Sequence, residues 1–170
     1  MDDLLSSHMK AKTNDEFLKW LNMKYRKFGE VTAKRGKDHD YLAMLMKFEN
    51  GKLTIDMKEY VKKMLQEFPI KFQKEAKQAT PAGIDMFNPD ESKKLNESER
   101  EAFHRSVAQG LFLSKRGRPD IQPIISVLCT RVKSPGRKDW GKLVRMMKYL
   151  NGTKDDILTI DARNGVHRIE

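Results

Sequence analysis

Asp2 and Asp3, adjacent at the start of the chain and followed by Leu4-Leu5-Ser6-Ser7-His8, are the residues whose type and spacing best suit metal chemistry. Paired carboxylates offer the hard oxygen ligands that Mg2+ requires, and two such ions can clamp the attacking and leaving oxygens of a phosphoryl transfer. A site of that kind needs a further carboxylate from an earlier strand, and none precedes Asp2. Acidic residues at a chain end are otherwise simply solvated, so the pair alone leaves both readings open.

The other chemistry the sequence offers is anion binding. Lys115-Arg116-Gly117-Arg118-Pro119-Asp120 places three cations at a turn between two expected helices. Side-chain charge and the free N–H groups of a helix start would favour the same phosphate. Equally, Asp120 can pair with Arg118 and fix the turn. Lys58, Lys62 and Lys63 stand on one side of another expected helix, where the Lys58/Lys62 spacing is a like-charge i, i+4 pair that a polyanion would relieve. The net charge of +10, from 34 Lys and Arg against 24 Asp and Glu, points the same way, towards nucleic acid. A single cysteine, Cys129, excludes an intramolecular disulfide and a cysteine-based zinc site, and lies in an apolar run typical of an inert core thiol. No run is long enough to span a membrane and the first residues are acidic where a leader would be basic, so the expectation is a cytoplasmic or nuclear protein with no membrane partner.

The elements that must position these residues follow from periodicity. Thr13-Asn14-Asp15-Glu16 has the form of a capping box, and Phe17, Trp20, Leu21, Tyr25 and Phe28 recur at helical spacing up to Gly29, predicting a helix that packs by one face on the core. Tyr41 to Phe48 and Lys52 to Asp56 are apolar stretches joined by Glu49-Asn50-Gly51; Asn-Gly tolerates the positive φ of a type I′ turn and predicts a hairpin. Met57, Tyr60, Val61, Met64, Leu65 and Phe68 form a helical stripe ended by Pro69. A polar, turn-rich connection from Ile70 to Ser98 is expected to be partly extended and mobile. Three helices then follow: Glu99 to Lys115 with Phe103, Val107, Leu111 and Phe112 inward; one opening near Pro119 with Ile121, Ile124, Ile125, Leu128, Cys129 and Val132 inward; and one carrying Trp140, Leu143, Val144, Met147 and Leu150, closed by Asn151-Gly152. Ile157-Leu158-Thr159-Ile160 alternates as a strand would.

In chain order these pieces resemble the reverse transcriptase (RNA-directed DNA polymerase) of copia-type long-terminal-repeat retrotransposons. The matching words are Asp2-Asp3-Leu4-Leu5; Phe28-Gly29-Glu30-Val31; Tyr41-Leu42; Ile55-Asp56 with Tyr60-Val61-Lys62-Lys63-Met64-Leu65; Ala79-Thr80-Pro81; Leu113-Ser114-Lys115-Arg116 with Arg118-Pro119-Asp120-Ile121; Leu128-Cys129-Thr130-Arg131-Val132; and Lys148-Tyr149-Leu150 with Gly152-Thr153. Arg-Pro-Asp-Ile followed by Tyr-Leu-x-Gly-Thr is the most specific of them, and the set covers nearly the whole chain.

The resemblance implies a predominantly helical α+β fragment of a Pol polyprotein. Residues 1–56 would be the C-terminal part of the palm with its primer-holding hairpin, 57–152 a helical thumb, and 153–170 the start of a connection towards a ribonuclease H domain. Asp2 and Asp3 would be the catalytic, Mg2+-binding pair of the intact enzyme, and Tyr41, Leu42 and Ala43 would belong to the primer-holding hairpin. Lys58, Lys62, Lys63, Lys115, Arg116 and Arg118 would contact the backbone of a template–primer duplex, positioning it without reading bases. With fingers and first palm strand lacking, the fragment is expected to bind Mg2+ loosely at best and not to polymerise alone. Its partners would be RNA or DNA and the remaining Pol portions. The other readings are a non-enzymatic basic nucleic-acid-binding protein and a functionless remnant of a decayed element. Three departures from the family pattern stand out. Gly110 falls mid-helix, at a propensity loss of about 1 kcal/mol against Ala; Pro123 is tolerable only in a first helical turn; and Ala43 replaces a glycine whose backbone freedom the hairpin needs.

Overall fold

The spacing of apolar residues sorts the chain into helices and strands grouped in an α+β arrangement, and the computed structural model describes residues 4–73 and 77–161 of it. Asp2 and Asp3 lie outside the described residues. The first helix, α1 (Ala11–Tyr25), continues as a 3-10 turn, Arg26–Phe28. Its start lies a turn earlier than the capping box would put it. Lys10 is the N-cap residue and the Thr13 amide already donates to the Lys10 carbonyl (3.1 Å), so Thr13 sits inside the helix and caps nothing. Nor does α1 pack on the core. None of its residues is buried, and none belongs to the apolar cluster or to the side chains packed against it.

Four antiparallel strands form one sheet in the order β1 (Asp38–Tyr41), β2 (Met44–Glu49), β3 (Lys52–Asp56) and β4 (Leu158–Asp161). Asn50 and Gly51 take φ of 51° and 72° between paired Glu49 and Lys52, the mirror-image turn that Asn-Gly favours. The stretch expected as one strand from Tyr41 is broken by a second such turn. Leu42 and Ala43 hold φ of 49° and 62° while Tyr41 pairs with Met44. Neither residue announces a turn, and each bears the steric penalty of Cβ in the left-handed region. The register puts Tyr41, Met44, Met46, Ile55 and Leu158 on one face, against the helices.

All the remaining helices lie between β3 and β4. The stripe from Met57 forms α2 (Lys58–Glu67), with Met57, Val61, Met64 and Phe68 buried and Phe68 stacked between Phe72 and Trp140 at 5.8 and 5.5 Å. A capping box of Asn96 and Glu99 opens α3 (Glu97–Ser114). Its buried face is turned from the expected one: Phe103, Val107 and Leu113 are inside, Phe112 is partly covered, and Leu111 is exposed. Ser106, Gly110 and Ser114, four residues apart, share that face. A Cβ on Gly110 would come within 2.4 Å of the Ile125 Cδ1 atom, so this glycine lets α4 approach, which repays its poor helix propensity.

A 3-10 turn, Pro119–Ile121, leads into α4 (Gln122–Cys129), whose Pro123 falls in the first turn, and α5 (Arg137–Gly152) buries Leu143, Met146, Met147 and Leu150. The α5 start is held by the long connection. The Asp90 carboxylate accepts the Asp139 amide at 2.7 Å and bonds both the Ser92 amide and hydroxyl, while the Gly136 amide donates to buried Asp139. A Cβ on Gly136 would collide with that Asp90 carboxylate at 2.4 Å. Further along α5, Lys142 donates to the Asn88 carbonyl, Arg145 to Thr80 and Asn151 to the Gln73 carbonyl, so the connection is stitched to this helix. Among the described residues no helix is long and apolar enough to cross a membrane.

Candidate nucleic-acid interface

The α2 lysines each have an acid on their own helix or at the end of β3 just before it. Asp56 accepts the Lys58 amide at 2.8 Å and lies 3.6 Å from its ammonium; Lys62 bonds Glu59 at 2.6 Å; Lys63 lies 3.9 Å from Glu67. The Glu59 hydrogen bond raises the pKa of Lys62. The like-charge strain expected between Lys58 and Lys62 is therefore relieved within the protein, and a polyanion is not needed for it. Glu67 also accepts from Gln109 at 2.7 Å, and Tyr60 stacks on Phe112 at 5.1 Å, fixing α2 to α3.

The α3–α4 turn rides on the start of α2. Gly117 lies against Met57 so closely that a Cβ would meet the Met57 sulfur at 2.8 Å. The amides of Arg116, Gly117 and Arg118 converge on the Leu113 carbonyl at 3.2, 3.0 and 3.1 Å. At the helix start that follows, the Ile121 amide donates to the Arg118 carbonyl at 3.3 Å and the Gln122 amide to that of Pro119, so these N–H groups are engaged too, which removes half of the argument for a phosphate clamp. Arg118 removes the other half. Only 5% exposed, its guanidinium grips Asp120 (Nε to Oδ1 3.0 Å, Nη2 to Oδ2 2.7 Å) and donates to the Thr153 carbonyl and hydroxyl at 2.9 and 2.7 Å. The Tyr149 hydroxyl donates to the same Asp120 oxygen at 2.7 Å. Burial works against the charges here, yet the Arg118 bonds hold the Asp120 carboxyl below its usual range, and Asp120 in turn keeps Arg118 above its own. Of the two readings of this turn, the structure takes the fixed one, and Arg118 is corrected from a backbone contact to a fold lock.

This lock joins the two most specific words in the sequence. Arg118 and Asp120 come from Arg-Pro-Asp-Ile; Tyr149 and Thr153 come from Tyr-Leu-x-Gly-Thr, whose spacing alone does not reveal their role. Their i, i+4 spacing lets Thr153 also donate to the Tyr149 carbonyl at 2.9 Å.

Lys115 and Arg116 remain accessible to a ligand. Arg116 lies 3.7 Å over the Phe112 ring and donates to its carbonyl, with its Nε buried and unpaired; Lys115 is exposed. Both border an open groove of about 450 Å3 whose floor is Met44, Met46 and Ile55, and against which Leu5 also lies. Met44 directly follows the Leu42-Ala43 turn, so the structure brings the flank of the expected hairpin and two of the expected cations to one place. The groove lining contains no carboxylate, and among the described residues no cluster of three or more His, Cys, Asp or Glu side chains could hold a metal ion. No protein-family model, curated protein or solved structure matches this chain.

Proposed function

We propose that the chain is the palm and thumb portion of a copia-type reverse transcriptase, holding template–primer nucleic acid through the basic rim of the groove between sheet and α3–α4 turn. The observation that carries this reading is the lock itself. Arg-Pro-Asp-Ile and Tyr-Leu-x-Gly-Thr, the most telling of the matching words and about thirty residues apart, form one hydrogen-bonded unit around Arg118, as expected if they mark a shared fold. Two further features support it: the tight turn at Leu42-Ala43 where the primer-holding hairpin is expected, and the position of Leu5, just after Asp2-Asp3, against the same sheet.

Binding by this surface is electrostatic and sequence-tolerant. Mg2+ chemistry in the family needs carboxylates besides the Asp2/Asp3 pair, and the described residues beside Leu5 supply none, so no catalytic step is assigned to this chain.

The test combines two assays on the intact chain. Anisotropy with a labelled RNA/DNA template–primer should give a dissociation constant of about micromolar or weaker, with log K falling on log salt at a slope of about −2, as for the two cations of the rim. Primer extension with Mg2+ should give no product. Affinity indifferent to salt, or extension abolished by Asp2→Asn and Asp3→Asn, would overturn the proposal.

A further inference from the structure

We propose that α1 is a docking helix for single-stranded nucleic acid, separate from the duplex-holding groove. The aromatic stripe that periodicity assigns to the core is not in it. Trp20 is 44% and Phe28 77% exposed, and Tyr25 and Met23 are exposed as well. The rings meet one another, Phe17 stacking on Trp20 at 6.0 Å and Tyr25 meeting it edge-on at 6.3 Å, but no core side chain. The helix's two acids are engaged elsewhere, Asp15 by Arg35 at 2.6 Å and Glu16 by Lys12 at 3.8 Å. Among the described residues Lys19, Lys24, Arg26 and Lys27 have no ion-pair partner, and Lys27 sits 4.9 Å over the Phe28 ring.

The pattern selects the partner. A helix that lies on a lipid surface keeps its cations apart from an unbroken apolar stripe. Here Lys24 falls four residues from Trp20 and from Phe28, and Lys27 covers the Phe28 ring in the 3-10 turn, so cation and aromatic alternate along the segment. That alternation matches a single strand, whose phosphates meet the cations while its unpaired bases stack on the rings. A duplex keeps its base faces hidden and could use only the charges.

The reading does not depend on the duplex groove, and the experiment separates the two. Trp140 is the other tryptophan and lies partly buried on Phe68. In the full chain carrying Trp140→Phe, Trp20 emission should be quenched saturably by oligo-dT and restored by high salt. Anisotropy of labelled oligo-dT should show binding weakened about tenfold by Trp20→Ala, as expected for loss of one base stack. Lys24→Glu with Lys27→Glu should weaken it at least as far. Neither change should alter the thermal melt, since α1 gives the core no side chain, and Trp20→Ala should leave duplex affinity alone, since a duplex offers no base face to stack. Oligo-dT binding unaffected by Trp20→Ala would overturn the proposal. So would a Trp20 blue shift seen only with phosphatidylserine vesicles, indicating a lipid surface, or only with rising protein concentration, indicating a second copy.

Discussion

Arg118→Lys separates a fold lock from a phosphate contact, because it keeps the charge while removing the fork. The guanidinium makes three bonds to Asp120 and two to Thr153 from a site with 5% exposure. A lysine ammonium on a shorter reach can replace one of these, leaving the Thr153 carbonyl or one Asp120 oxygen unsatisfied. A charged hydrogen bond is worth about 1.5–3 kcal/mol, and removing one partner of a buried pair costs about 3–5. Asp120 is itself about one-third exposed, so water can take over part of its share. The expected loss is about 2–3 kcal/mol, a fall in Tm of about 4–12 °C for a chain of this size. Tyr149→Phe removes one bond to the same oxygen and should cost about 1 kcal/mol; because both changes act on one network, the double variant should lose measurably less or more than the sum. Urea titration with constant m-value, alongside a thermal melt, reads these numbers. The contrasting variant is Lys115→Gln, which should leave the melt alone and reduce the salt slope of duplex binding by about 1. Because the charge is kept, a phosphate contact would lose neither stability nor salt slope, so an Arg118→Lys protein that melts with the parent would refute the assignment.

Two other outcomes are expected. Ala43→Gly relieves a left-handed residue at φ 62° and should raise stability by about 1 kcal/mol, whereas Gly51→Ala, at φ 72°, should lower it by a similar amount; equal Tm values for all three proteins would show that the turns are unstrained. In acid, Asp90 should act as a brace. Burial pulls its pKa up, but the Ser92 and Asp139 bonds outweigh this and set it at about 2, so its stabilisation is complete above the unfolded value of 3.8 and is lost as pH falls towards 2. Asp139, raised mainly by burial, works in the opposite sense, its share being lost as pH rises through its elevated value. Asp90→Asn should therefore flatten the acid limb of the stability profile between about pH 4 and 2, and an unchanged limb would count against the brace.

Much of the helical part was legible from periodicity because its stripes are long and regular: Met57 to Phe68 and Leu143 to Leu150 appear where the apolar residues put them. The α3 face was misread for a physical reason. It is built on Ser106, Gly110 and Ser114, small residues that score as neither core nor stripe yet permit close approach. Periodicity misses the Leu42-Ala43 turn because its residues carry no turn preference and tertiary pairing imposes the conformation; only the resemblance, through the glycine that Ala43 replaces, points to it. Periodicity in α1 correctly gave a helix and a face, but a face says nothing of what covers it. Within the candidate site, Lys115 and Arg116 were visible as charge. Arg118 could not be sorted from them, since the partner that buries it, Thr153, lies thirty-five positions away.

The final strand, β4, closes the sheet against β3, although α2 to α5 intervene between them. Pairing Ile55 with Leu158 closes a loop through about a hundred residues, an entropic toll that a hairpin never meets. The edge is therefore the last part that can settle, and it settles only once the helices have shortened the distance. A chain halted before Leu158 during synthesis would carry an open flank at β3, with Leu53 and Ile55 unshielded and ready to recruit a foreign strand.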